Sequence, residues 1–264
     1  MKPVRAPDLR KWKRDGKKIA MLTAYDASTA VLLEKAGIDV LLVGDSLGMV
    51  IQGHETTLLV TLDDMVYHSR AVSRVVSHAL IVVDLPFLTY HSGVDDAVRN
   101  AGRLIQDGGA SAVKLEGGGP AIVEVVARLV EIGIPVMAHL GLTPQSYHQV
   151  GGFRKQAKNP ADAETLFQQA QELQAAGAFS IVLESIPAEV AARVTAALEI
   201  PTIGIGAGPD CDGQVLVVHD ILGIGEYSPP FAKIYAPLGE QMVQAFEDYA
   251  DEVRSGKFNV DPKS

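Results

Sequence analysis

SAVKLEGGGPAIVEVVARLVEIGIPVMAHL, residues 111–140, reads as strand, helix, strand. SAVKLE (111–116) and PVMAHL (135–140) are short apolar runs that end in charged or imidazole side chains. Between them, Pro120 to Ile132 has a helical pattern with Pro in the first turn, where its missing N–H costs nothing. Strands saturated with Val, Ile and Leu are buried on both faces, which implies a parallel sheet covered by helices.

The same grammar runs outward in both directions. Strand-like runs fall at KIAMLTAY (18–25), DVLLVG (39–44), ALIVVD (79–84), FSIVLE (179–184), PTIGIG (201–206) and QVLVVHD (214–220). Helical patterns lie between them: Ser28–Ala36, Leu62–Ser77, Val94–Gln106, Asp162–Ala176 and Pro187–Leu198. Thr61 with Asp64 three residues on is close to a capping box, and glycines mark several helix ends. Eight β units separated by helices are the arithmetic of an α/β fold of the (β/α)₈ TIM-barrel type. An open doubly wound sheet with GIGAG (204–208) as a nucleotide turn is the rival. Regular spacing without a composition break favours one closed barrel domain over 1–264. It carries a short N-terminal extension, a C-terminal helix (Pro237–Val253) and a polar tail (254–264).

The 264 residues are 47% hydrophobic, enough for a substantial core, and carry a formal charge of −9. That charge argues against nucleic-acid or anionic-membrane partners, though not against an anionic small-molecule substrate if a cation is bound. Cys211 stands alone, so no intramolecular disulfide can form. The N-terminus, MKPVRAPDLRKWKRDGKK, has no apolar signal region, and no apolar run is long enough to span a bilayer. A cytoplasmic location is the expectation.

Chemistry gathers at the carboxyl ends of strands in such sheets. Here those ends carry Asp45, Asp84, Lys114 with Glu116, His139 and Glu184. Side chains alternate along a strand, so Lys114 and Glu116 share one face and point into the barrel. A lone Asp after a strand is often a helix cap, a reading open for Asp45-Ser46. Four acids on separate strand ends are hard to explain as caps. Three carboxylates near one point repel unless a cation sits among them, and an all-oxygen set without a Cys/His cluster suits Mg²⁺ or a similar hard ion. A 2-oxo acid chelated there loses an adjacent proton more readily, with Lys114 meeting its carboxylate and Glu184 acting as base. His139 reads equally as a structural or a catalytic group. GIGAG reads equally as a phosphate turn or a tight turn. His219-Asp220 reads as a capping or packing pair, and the loop from Gln149 to Pro160 as a lid or a plain surface loop.

Several longer motifs carry a resemblance: LTAYD (22–26), VGDSLGM (43–49), QGHETT (52–57), DLPF (84–87), KLEGG (114–118), HLGLTPQS (139–146), IGIGAG (203–208) and DGQVLV (212–217). In this order they resemble the ketopantoate hydroxymethyltransferase family over about Lys18 to Lys233. The resemblance implies a barrel of the phosphoenolpyruvate/pyruvate superfamily, usually a homodecamer. It implies hydroxymethyl transfer from 5,10-methylenetetrahydrofolate to 3-methyl-2-oxobutanoate, giving 2-dehydropantoate for pantothenate synthesis. It places Mg²⁺ on Asp45, Asp84 and Glu116. Substrate contacts fall on Asp45, Ser46, Asp84 and Lys114, proton abstraction on Glu184, and His139 on the pocket wall. Two other readings stay open: a lyase or mutase of the same superfamily, and a non-enzymatic barrel that binds phosphate through GIGAG.

Overall fold

Eight parallel strands close on themselves in sequence order, the eighth pairing with the first. The computed structural model describes residues 2–225 and 228–258 and divides into two compact units, Met1–Leu216 and Val217–Ser264. In the first unit the strands are β1 (Ile19–Thr23), β2 (Val40–Val43), β3 (Leu80–Asp84), β4 (Ala112–Glu116), β5 (Val136–Gly141), β6 (Ser180–Glu184), β7 (Thr202–Ile205) and β8 (Gly213–Leu216). Its helices are α1 (Ala6–Arg14), α2 (Ala27–Lys35), α3 (Leu47–Val50), α4 (Leu62–Ser73), α5 (Val94–Gln106), α6 (Pro120–Glu131), α7 (Tyr147–Val150), α8 (Pro160–Ala175) and α9 (Ala188–Ala197). The second unit contains α10 (Val218–Ile221) and α11 (Leu238–Arg254). The barrel expected from the strand–helix repeat is the one formed.

Every residue of β2, β3 and β4 is buried, as strands covered on both faces require. Inward-facing Ile19, Met21, Val40, Leu42, Leu80, Val82, Ala112, Met137, Val182, Ile203 and Val215 pack into one apolar cluster. Register then decides which polar residues become neighbours above it. Asp84 pairs with Lys114, Glu116 with His139, and Gly141 with Glu184.

Three local features differ from the sequence expectations. The N-terminal extension, for which the sequence pattern predicts no element, is helical. Its α1 inserts Leu9, fully buried, into the cluster at the start of the strands, with Val4 and Trp12 alongside. Lys13 Nζ ties it down, donating to the carbonyls of Thr195 (2.7 Å) and Ile200 (3.2 Å) and pairing with Asp212 (2.9 Å). Leu9 and Trp12 are one turn apart, but five cations within residues 5–14 hide that stripe in the sequence. Leu9→Ala should cost about 2–3 kcal/mol, the low end for a buried leucine, read from the midpoint of denaturant unfolding.

Helix α4 stops at Ser73, not Ser77. The carboxylate of Glu34 captures the next segment, accepting the backbone N–H groups of Ser77 (3.1 Å), His78 (2.6 Å) and Ala79 (2.8 Å). Burial raises the Glu34 pKa, and these donors outweigh it and hold it below the usual value. The Thr61–Asp64 capping box forms, with Asp64 Oδ2 accepting Thr61 N–H at 2.9 Å.

Finally, no helix separates β7 from β8, and QVLVVHD is not one strand. β8 ends at Leu216, and His219 and Asp220 lie on the helical turn α10. A short Val-rich run does not by itself distinguish a strand from a buried helical turn. The GIGAG glycines serve a tight return: Gly206 and Gly208 have φ of 60° and 84°, and a Cβ on Gly208 would come within 2.5 Å of Ala188.

Candidate active site

The carboxyl ends of β2 to β6 bring the expected residues to one mouth of the barrel. Asp45, Asp84, Lys114, Glu116 and His139 are all buried, and Glu184 is partly exposed. Lys114 Nζ donates to Asp84 Oδ1 at 2.5 Å, and the other Asp84 oxygen accepts the Asp45 backbone N–H at 3.1 Å. His139 stands between two acids. Its Nδ1 lies 3.4 Å from Glu116 Oε1 and its Nε2 lies 3.2 Å from Glu184 Oε2, close enough for charge pairing although neither nitrogen meets hydrogen-bond alignment. Asp45 does not cap a helix: its Oδ2 accepts the side-chain amide of Gln145 at 2.8 Å. Ser46 caps nothing with its side chain; its Oγ lies 2.7 Å from the hydroxyl of Tyr25.

Burial sets the electrostatics. The Asp45 carboxyl is pushed well above the usual carboxylate range by burial, then by Asp84 and Glu116, against the smaller pull of Lys114 and Gln145. Burial alone would strip the proton from His139. Glu116 and Glu184 outweigh it and raise the imidazole to about 9. Burial likewise opposes the Lys114 ammonium, and Asp84, Glu116 and Asp45 more than compensate, so it stays charged.

Three further residues build the mouth and were missed in the sequence. Gln145 sits on the 3₁₀ turn Pro144–Ser146 and contacts Asp45 and Glu116. Tyr90, 1% exposed, places its hydroxyl 2.7 Å from Gln145 Oε1. Tyr25, equally buried, backs Ser46. The only signal for Gln145 was its place in HLGLTPQS. The loop from Gln149 to Pro160 comes close by: the Gln156 amide donates to the carbonyl of Ser185, next to Glu184, at 2.9 Å.

The donor set fits a hard divalent cation. Asp45, Asp84, Glu116 and Glu184 carry a formal −4 and Lys114 with protonated His139 a formal +2, so one divalent ion would balance the mouth. Among the described residues no three His, Cys, Asp or Glu side chains converge into a ready-made metal centre. The expected ligands Asp45, Asp84 and Glu116 share the mouth without forming one.

A closed parallel barrel with its polar groups gathered at the carboxyl ends of the strands defines a (β/α)₈ protein, and solved structures share that fold. The chain superposes on 2,3-dimethylmalate lyase, a phosphoenolpyruvate mutase/isocitrate lyase superfamily member, with a TM-score of 0.64 at 18% identity, covering 99% of this chain and 89% of that one. It superposes on phosphonopyruvate hydrolase in complex with oxalate and Mg²⁺ with a TM-score of 0.65 at 14% identity, covering 95% and 87%. At such identities the likeness carries the fold alone. The sequence narrows it further. Residues 3–261 match the family model described as ketopantoate hydroxymethyltransferase. The 3-methyl-2-oxobutanoate hydroxymethyltransferase of Moorella thermoacetica is 56% identical over 256 residues, 97% of this chain and 95% of that protein. The Pelobacter propionicus enzyme of the same name is 53% identical over 264 residues, 100% and 97%. The chain belongs to the ketopantoate hydroxymethyltransferase family.

Proposed function

We propose that this chain transfers a hydroxymethyl group from 5,10-methylenetetrahydrofolate to C3 of 3-methyl-2-oxobutanoate, giving 2-dehydropantoate and tetrahydrofolate. The observation that carries the assignment of roles is His139 flanked by two acids: Glu116 on the side of Asp45 and Asp84, and Glu184 on the other. This arrangement separates a charge-binding face from a proton-accepting one.

Asp45, Asp84 and Glu116 would hold Mg²⁺, or another divalent ion of similar preference. When bound, it supplies Lewis acidity to the keto and carboxylate oxygens of the substrate. Lys114 meets the substrate carboxylate from its ion pair with Asp84, and Asp45 and Ser46 orient the substrate. Glu184 takes the C3 proton. Its side chain is more exposed than those of Asp84 and Glu116, 15% against 4% for each. Protonated His139 fixes the Glu184 carboxylate as an acceptor in the resting site. The C3 carbanion, delocalised onto the ketone, bonds to the one-carbon unit. Water supplies the hydroxyl oxygen, both carbon–nitrogen bonds of the methylene bridge break, and the two folate nitrogens take up the C3 proton and one proton of the water. A cytoplasmic setting and a homodecameric assembly belong to this same reading. No helix among the described residues is long and apolar enough to cross a membrane.

Exchange of the C3 hydrogen with solvent deuterium tests the reading. With Mg²⁺ and no folate, the protein should catalyse exchange into 3-methyl-2-oxobutanoate, followed by proton NMR. A protein that binds the keto acid under these conditions without exchanging it would be inconsistent with proton abstraction at this site.

A further inference from the structure

Gln145 contacts both Asp45 and Glu116, and its hydrogen bonds leave it one orientation. Its backbone N–H donates to Glu116 Oε2 at 3.0 Å. Its Nε2 donates to Asp45 Oδ2 at 2.8 Å and to the Leu85 carbonyl at 3.0 Å. An amide nitrogen has two hydrogens, so both are used. Its Oε1 faces the Tyr90 hydroxyl at 2.7 Å. The Tyr90 oxygen already accepts the Glu116 backbone N–H at 3.1 Å, and its other acceptor, the Glu116 carbonyl, is a distant 3.4 Å. The hydroxyl hydrogen therefore goes to Gln145. Turned over, the amide would set its oxygen against a carboxylate and a carbonyl. Gln145 is only 5% exposed, so water does not relieve such a clash.

We propose that Gln145, locked by Tyr90, is the positioning residue that holds the Asp45 and Glu116 carboxylates at the spacing the divalent cation and the keto acid require. The proposal rests on the reading that these acids hold the cation. A neutral amide suits the task because it donates hydrogen bonds without neutralising charge. A lysine at the same point would satisfy the carboxylates and compete with the metal. Buried acids without such a donor turn away from each other or take up protons, and either response spoils the site.

The test is calorimetric titration of Mn²⁺ into the protein saturated with 3-methyl-2-oxobutanoate, with no folate present. Gln145→Met keeps the volume and the backbone bond to Glu116 but loses both side-chain donors. It should bind Mn²⁺ about 10–100-fold more weakly, the usual cost of losing a group that orients metal ligands. Gln145→Glu, which sets a carboxylate against Asp45, should bind no better than Gln145→Met. Tyr90→Phe, which removes only the lock, should lose several-fold while keeping its circular dichroism. Lowered melting temperatures with wild-type Mn²⁺ affinity would mean a purely structural role and overturn the proposal. If Gln145→Met fails to fold, Tyr90→Phe decides alone, and unchanged affinity there also overturns it. Wild-type protein that binds no Mn²⁺ would remove the cation reading itself. Wild-type binding matched by Gln145→Met would remove only the role of Gln145.

Discussion

Glu184→Gln should cut turnover by about 10²–10⁴-fold, the usual contribution of a general base. The substitution keeps shape and removes the proton acceptor. Substrate binding is assigned to Asp45, Ser46, Asp84 and Lys114, none of which the change touches, so the KM for the keto acid should move little. Deuterium exchange at C3 should fall in parallel with turnover. In free-energy terms the loss is about 3–5 kcal/mol of transition-state stabilisation. The neighbouring imidazole gives a second readout. His139 keeps its proton up to about pH 9 because Glu116 and Glu184 flank it. With Glu184 neutralised, its titration, followed by NMR of the ring protons, should move down towards the ordinary histidine value. A variant that turned over normally but bound the keto acid poorly would transfer Glu184 from the chemistry to the binding set.

That expectation was available from the sequence because barrel strands put their last inward residue at the mouth whatever else the chain does. LIVVD, SAVKLE, PVMAH and SIVLE end in side chains the structure gathers, and parallel register turns adjacent strand endings into contacts: Asp84 beside Lys114, and Glu116 beside His139. The alternation that sent Lys114 and Glu116 inward is a period-two property of any strand. What escaped was carried by loops and by neutral residues. Gln145 and Tyr90 have no charge to announce them. They reach the acids because the turn at Pro144 and the segment after Asp84 fold over the mouth, and neither path follows from a period. The helix α1 escaped for the opposite reason, since its flanking cations masked a two-residue apolar stripe. The overrun of β8 into His219 shows the limit of apolar runs: Val favours strands, but the ladder partner, not the residue, decides where pairing stops.

Gly141 tests how tightly the backbone beneath Glu184 is built. It ends β5 with φ of 96°, and a Cβ there would lie 2.2 Å from the Glu184 carbonyl oxygen and 2.7 Å from Ile186 Cγ2. That carbonyl also accepts the Leu142 N–H at 2.8 Å, so it cannot retreat without loosening the β5–β6 pairing. Gly141→Ala should therefore cost about 2–5 kcal/mol, combining a left-handed penalty of about 1–2 with an overpacking cost of about 1–3. Gly133 separates the two contributions. It has a similar φ of 91°, and a Cβ added there would meet nothing within 4 Å, so Gly133→Ala should show the dihedral cost alone. Chemical denaturation of both variants measures the difference. Activity should part them further. Gly133 lies in the turn after α6, away from the mouth, and its variant should turn over normally where it is folded. Gly141→Ala displaces the backbone that carries the base, and a shift of about 1 Å at a reacting group is enough to cost about 10²-fold. Equal stability and equal turnover in the two variants would show that the chain at Glu184 yields to the added methyl, and that the base does not depend on this close approach for its position.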